Sequence, residues 1–239
     1  MGESVVLPLS TWDGVLAEWP GEPLGSRERV VLRVRVSGRV GDAAATDTGW
    51  SAPLAYEVGL LAPEDWTALP VGPSWPENPL ADRRPPRVRT EFTLSSPVVA
   101  ARAYVSAHGL IRAEIDGRRV GADELVPGWT VYGERIVART YDVTALLTTT
   151  PGSPEQTDGT GAHAVGAQLA DGWYRGHIGF DGGYRNLYGE DVAAIIQLEV
   201  LHADGTRTVI ATDGAWRAGA GEIQLNRSEE RRVGKECRS

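Results

Sequence analysis

The chain has 239 residues, 41% of them hydrophobic, and a formal charge of −8. No apolar run approaches the roughly 20 residues of a membrane span, and no basic face offers itself to nucleic acid, so neither partner is expected. One cysteine rules out a disulfide framework within the chain. The N-terminus, MGESVVLPLSTWDG, lacks a basic region followed by an apolar core; it reads as no secretory signal and favours the cytoplasm.

The β-branched and aromatic runs are short and separated by Gly, Pro, Asp and Asn, which reads as all-β. Residues 1–62 resemble part of a small sandwich. Trp12-Asp13-Gly14 and Trp19-Pro20-Gly21 mark turns. Val30–Val36 alternates, with Val30, Leu32, Val34 and Val36 on one face and Arg33 and Arg35 on the other, the pattern of a half-buried strand. Trp50-Ser51-Ala52-Pro53 leads into a second strand, Leu54–Val58. About four strands are expected, where an independent sandwich usually needs about seven, so this domain is short at its N-terminus.

Residues 63–90 are rich in proline and read as a linker, with Trp66 and Trp75 suited to packing on a neighbouring surface. Residues 91–226 form the main domain. Strands are expected at Thr90–Leu94 and Val98–Ala107, then at Leu110–Ile115 and Arg118–Val120 around Asp116-Gly117, a strong signal for a two-residue hairpin. Pro127-Gly128-Trp129 is a turn and Arg135–Tyr141 alternates as a strand. Asp142 is placed to cap a helical turn, Val143–Leu147. The polar loop Thr148–Gly161 leads to strands at His163–Leu169, Val192–His202 and Arg207–Ala211, with one more after Asp213-Gly214-Ala215-Trp216. Around ten short strands at regular spacing argue for a jelly-roll β-sandwich.

The last thirteen residues, RSEERRVGKECRS, hold the only lysine and the only cysteine, whereas the preceding 226 residues use 19 arginines and no lysine. Arg227–Ser239 resembles a translated sequencing adaptor and is set aside from fold reasoning. Its net charge of +2 leaves −10 for the rest, and the natural protein is expected to continue past Asn226.

The chemistry-bearing stretch is Asp171–Asp191, DGWYRGHIGFDGGYRNLYGED. Trp173, Tyr174, Phe180, Tyr184 and Tyr188 lie among six glycines, three aspartates and two arginines. Aromatic faces cover the C–H faces of a pyranose, while charged and polar tips hold its hydroxyls. Trp173 or Tyr188 would stack, Arg175 and Asp181 would take hydroxyls, and Tyr174 completes the set. The same residues also suit a loop whose rings plug the end of a sandwich, with Trp173 buried and Arg175 paired to a carboxylate across a domain interface. No metal site is assigned: His108, His163, His177 and His202 share no repeated spacing. Asp171, Asp181, Glu190 and Asp191 could supply oxygen ligands to calcium, although their spacing matches no standard calcium loop.

Five segments, in order, resemble the N-terminal region of bacterial α-L-rhamnosidases of glycoside hydrolase family 78. They are Arg33–Val36 with Gly49-Trp50-Ser51, Tyr56–Leu61 and Asp65-Trp66; Arg89–Leu94 with Ala101–Val105; Ile115–Gly121; Pro127–Tyr132 with Thr140–Thr144; and Asp171–Gly176 with Asn186–Gly189. The third carries Asp-Gly where the family more often has Asn-Gly. The resemblance implies an incomplete fibronectin-III/Ig-like sandwich followed by a jelly roll. It also implies a helical (α/α)6 barrel beyond them, whose paired carboxylates invert the anomeric centre. No such helical region lies in this sequence, so no catalytic residue is assigned. The expected partners are a rhamnose-containing glycan and the missing catalytic domain of the same chain. A free-standing carbohydrate-binding β-sandwich is the alternative.

Overall fold

The computed structural model describes residues 18–19, 21–39, 41, 46–152, 155–180 and 183–221. The turn at Trp12-Asp13-Gly14, Asp181 and the tail Arg227–Ser239 lie outside the described residues. The chain forms two compact units, Met1–Trp66 and Thr67–Ser239.

In the first unit β1 (Arg29–Leu32) pairs antiparallel with β4 (Leu54–Glu57), and β2 (Ser37–Gly38) with β3 (Thr46–Asp47). The long strand expected over Val30–Val36 stops at Leu32, and Val34 and Val36 are exposed. Side-chain hydroxyls take over its ladder: the Val34 N–H donates to Ser51 Oγ and the Val36 N–H to Thr48 Oγ1, each at 3.0 Å. Asp65 ends the unit as a hub. It accepts from the Ser26 hydroxyl at 2.5 Å, Arg27 Nη1 at 2.6 Å and the Ala62 N–H at 3.1 Å. These donors hold its carboxyl down at about 2.

The second unit is a two-sheet sandwich. It contains β5 (Pro86–Leu94), β6 (Val98–His108), β7 (Leu110–Ile115), β8 (Arg118–Arg119), β9 (Arg139–Asp142), α1 (Thr144–Leu147), β10 (Gly161–Ala170), α2 (Gly172–Arg175), β11 (Ala193–His202), β12 (Arg207–Ala211) and β13 (Arg217–Ala220). One sheet runs β13-β5-β10-β7-β8 and the other β12-β11-β6-β9. Every pairing is antiparallel. Apart from the hairpins β7-β8 and β11-β12, successive strands change sheet, as in a jelly roll.

Period-2 alternation builds the core. Ala101, Ala103, Val105 and Ala107 of β6 face inward with Ala194, Ile196, Leu198 and Val200 of β11. Ile111, Ala113 and Ile115 of β7 and Val165, Ala167 and Leu169 of β10 face them from the other sheet. Small residues on β6 let the sheets close where larger ones on β11 fill the space. The second face of β11 is also covered: Gln197 is buried, and its Oε1 accepts the Thr67 N–H at 2.7 Å and the Ala68 N–H at 3.3 Å. Val71 and Ala194 exchange two backbone hydrogen bonds. The proline-rich stretch is therefore tied to the sandwich by backbone pairing as well as by side chains. β5 begins at Pro86, four residues before the expected strand, because a proline at a strand's first position costs no ladder donor that the sheet needs.

Two turns behave as their residues require. Asp116 (φ 50°) and Gly117 (φ 72°) both adopt the left-handed conformation that a type I′ hairpin demands. The Asp142 carboxylate accepts from the Thr144 N–H at 3.0 Å and its hydroxyl at 2.7 Å, but α1 starts at Thr144 with Val143 as its N-cap, so Asp142 stands one residue before the cap it was expected to be. Strand Arg135–Tyr141 is shorter than expected, forming only as β9 from Arg139.

Candidate functional site

The registers place three connections at one end of the sandwich. Ala170 pairs with Leu110 and Ala193 with His108, so the loop 171–192 caps this end. The Ile111 N–H donates to the Val126 carbonyl at 2.9 Å, which brings the loop 120–138 to it. β5 starts here opposite Ala220, so the stretch ending at Pro85 arrives here too.

The loop 171–192 folds on a buried ionic framework. α2 carries Arg175, only 1% exposed. Its Nε donates to Asp171 Oδ1 at 2.5 Å, and its Nη1 to Glu77 Oε2 at 2.6 Å and to the Glu190 carbonyl at 3.1 Å. Arg83 donates to the same Glu190 carbonyl at 2.5 Å, to Pro79 O and to Asn186 Oδ1. Arg185 pairs with Asp82 at 3.1 Å and lies 3.8 Å from Asp171. Three guanidiniums thus sit among three carboxylates. Burial, then the neighbouring Arg175, pulls the Arg83 pKa down. Buried charges of this kind are tolerated only when paired and hydrogen-bonded, and this framework ties residues 77–83 to the loop.

Above the ions lies a cluster of rings. Tyr174 stacks on His108 at 5.0 Å, and Tyr132 meets Tyr174 edge-on at 5.2 Å. Tyr132 also packs against Tyr188 at 5.0 Å. Trp129 lies parallel to Trp173, with ring centroids 5.8 Å apart, and its Nε1 donates to the Tyr188 hydroxyl at 3.2 Å. Gly189 packs so closely on the Tyr174 ring that a Cβ would collide with it. Burial raises the Tyr132 and Tyr174 phenols and lowers the His108 imidazole. Asp191 adds to the Tyr174 shift. All three rings are therefore neutral near pH 7. Trp129 remains 53% exposed, with one face on Trp173 and the other toward solvent.

Of the residues expected at a sugar surface, Trp173, Tyr174 and Tyr188 are brought together. Asp181 lies outside the described residues. Arg175 points inward, and its carboxylate partners Asp171 and Glu77 belong to the same unit. It organises the loop from beneath and is not at its surface. Asp171, weighed for calcium, is 2% exposed and committed to Arg175. Among the described residues, no three His, Cys, Asp or Glu side chains are grouped to hold a metal. Sequence reasoning did not select Trp129, Tyr132 or His108. Trp129 stood in the Pro127-Gly128-Trp129 turn, and both Trp129 and Tyr132 in the Pro127–Tyr132 segment of the family resemblance, without a site role.

Two family models match the chain in order. The first, described as Rha78A-like, N-terminal immunoglobulin domain, matches residues 9–62. The second, Alpha-L-rhamnosidase N-terminal domain, matches residues 96–229. An α-L-rhamnosidase of Streptomyces avermitilis is 38% identical over 181 residues, covering 73% of this chain and 16% of the relative. One from Formosa agariphila is 33% identical over 215 residues, covering 87% of this chain and 22% of the relative. The crystal structure of the native Aspergillus terreus α-L-rhamnosidase superposes with a TM-score of 0.77 at 39% identity, over 88% of this chain and 23% of that one. The chain thus spans about a fifth of the length of these relatives. With both models matched in order on an all-β fold that they share, the chain belongs to the family of α-L-rhamnosidase N-terminal domains.

Proposed function

We propose that this chain is the non-catalytic N-terminal part of an α-L-rhamnosidase, whose parent enzyme removes terminal α-L-rhamnose from glycans or glycosides. The observation that carries the reading is the ordered match of two N-terminal family models over residues 9–62 and 96–229. In this reading residues 1–62 are a partial fibronectin-III-like domain, 63–90 a connecting stretch, 91–226 the jelly roll and 227–239 an adaptor-derived tail. The jelly roll braces the catalytic domain. The test is to read the source DNA across Asn226. A frame that runs on into several hundred residues of helical periodicity supports the proposal. Arg227–Ser239 encoded in the genome and followed by a stop codon overturns it.

A second reading is favoured by one observation, the outward face of Trp129 backed by Trp173. Such a ring can stack on a pyranose. Titrating methyl α-L-rhamnoside into the chain tests it: tryptophan fluorescence should saturate, and the change should vanish in Trp129→Ala.

A further inference from the structure

The loops held by the buried ions carry a concentration of exposed apolar side chains. Phe180 is 96% exposed and Tyr184 79%; Leu187, Trp129, Val131 and Leu125 are each more than half exposed. All six lie on the loops 120–138 and 171–192, which touch through Trp129 on Trp173 and Tyr132 on Tyr188. Single exposed hydrophobic residues need no explanation, but six on two adjoining loops do.

The backbone that presents them is fixed in advance. The Asn186 N–H donates to the Arg175 carbonyl and the Tyr188 N–H to the Tyr174 carbonyl, each at 3.1 Å. Ile178 and Tyr184 exchange two further backbone hydrogen bonds. A face already ordered loses little freedom on binding, which favours association. Several polar groups of this end are used internally: Arg175 and Arg83 donate to carboxylates and carbonyls beneath the loop, and the Trp129 Nε1 is taken by Tyr188. Rings and aliphatic chains with few free donors suit a protein surface better than a hydroxylated ligand.

We infer that this face docks onto the remainder of a full-length α-L-rhamnosidase, with Phe180 and Tyr184 as the inserted side chains. The inference rests on the bracing reading above and adds to it the face and the residues. The relatives carry roughly four-fifths of their length outside the matched region. A partner joined in the same polypeptide is present at high effective concentration, so a modest patch is enough to hold it.

Hydroxyl-radical footprinting tests the inference by comparing the 239-residue chain with the long in-frame enzyme from the same source. Phe180 and Tyr184 should oxidise rapidly in the short chain and be protected severalfold in the long one. The double variant Phe180→Ser/Tyr184→Ser should lower the melting temperature of the long enzyme and leave that of the short chain unchanged. Equal oxidation in a long enzyme that hydrolyses rhamnoside overturns the docking and leaves the rhamnosidase reading standing. A frame that stops, or a long product without rhamnoside turnover, removes both. Protection of Trp129 in the short chain by methyl α-L-rhamnoside would assign the face to sugar and also overturn the docking.

Discussion

Arg175 Nε lies 2.5 Å from Asp171 Oδ1, one helical turn earlier, with both side chains at most 2% exposed. Glu77, 98 residues upstream, closes on the same guanidinium. Removing the cation takes the close hydrogen-bonded partner from two buried carboxylates, leaving Asp171 and Glu77 only Arg185 and Arg83, each at 3.8 Å. Arg175→Ala should therefore cost about 3–5 kcal/mol, read as a lower urea midpoint. Arg175→Lys should recover only part of this, because an ammonium cannot reproduce the fork that reaches Asp171, Glu77 and the Glu190 carbonyl. Full stability in Arg175→Lys would contradict the assignment.

The parallel pair Trp129 and Trp173 should contribute about 0.5–1.5 kcal/mol beyond the area it buries. A double-mutant cycle with Trp129→Ala and Trp173→Ala, followed by chemical unfolding, reads this coupling. Additive single effects would mean that the rings are neighbours without interaction.

Gly117 has φ 72° and open space where a Cβ would stand, so the cost of a side chain there is backbone strain alone. Gly117→Ala should destabilise by roughly 1–2 kcal/mol. Ile196→Ala, inside the packed sandwich, should cost about 2–5 kcal/mol through lost burial and a cavity.

Burial against Tyr174 lowers the His108 pKa. Below the ordinary histidine value of about 6.5 the unfolded chain binds a proton that the folded chain resists. Stability from this site is thus complete above that pH and falls as pH drops through the folded value. Melting temperatures measured from pH 8 to pH 5 should decline, and His108→Gln should flatten the decline. An unchanged slope in the variant would place the effect elsewhere.

Much of the fold was legible because local chemistry sufficed. Asp116-Gly117 announces its hairpin through residues that tolerate positive φ, and β6 and β11 are long apolar runs bounded by turn residues. β1 was overextended because nothing in VVLRVRV shows that Ser51 and Thr48 hydroxyls will take the later N–H groups. The site was harder. Trp173, Tyr174 and Tyr188 stood out within one stretch. For Arg175 the sequence left two roles open, a surface donor or a partner of a carboxylate across a domain interface, because its distant partner Glu77 lies in a proline-rich linker with no pattern that marks the pairing. Trp129 was missed because its significance comes from Trp173, which only the pairing of the strands brings beside it.

The most direct test of the central claim is turnover of a chromogenic α-L-rhamnoside by two proteins from the same source: this 239-residue chain and the product of the frame continued past Asn226. We predict turnover by the long product and none above background by the short one. Turnover by the short chain, or silence from a folded long product, would contradict the account.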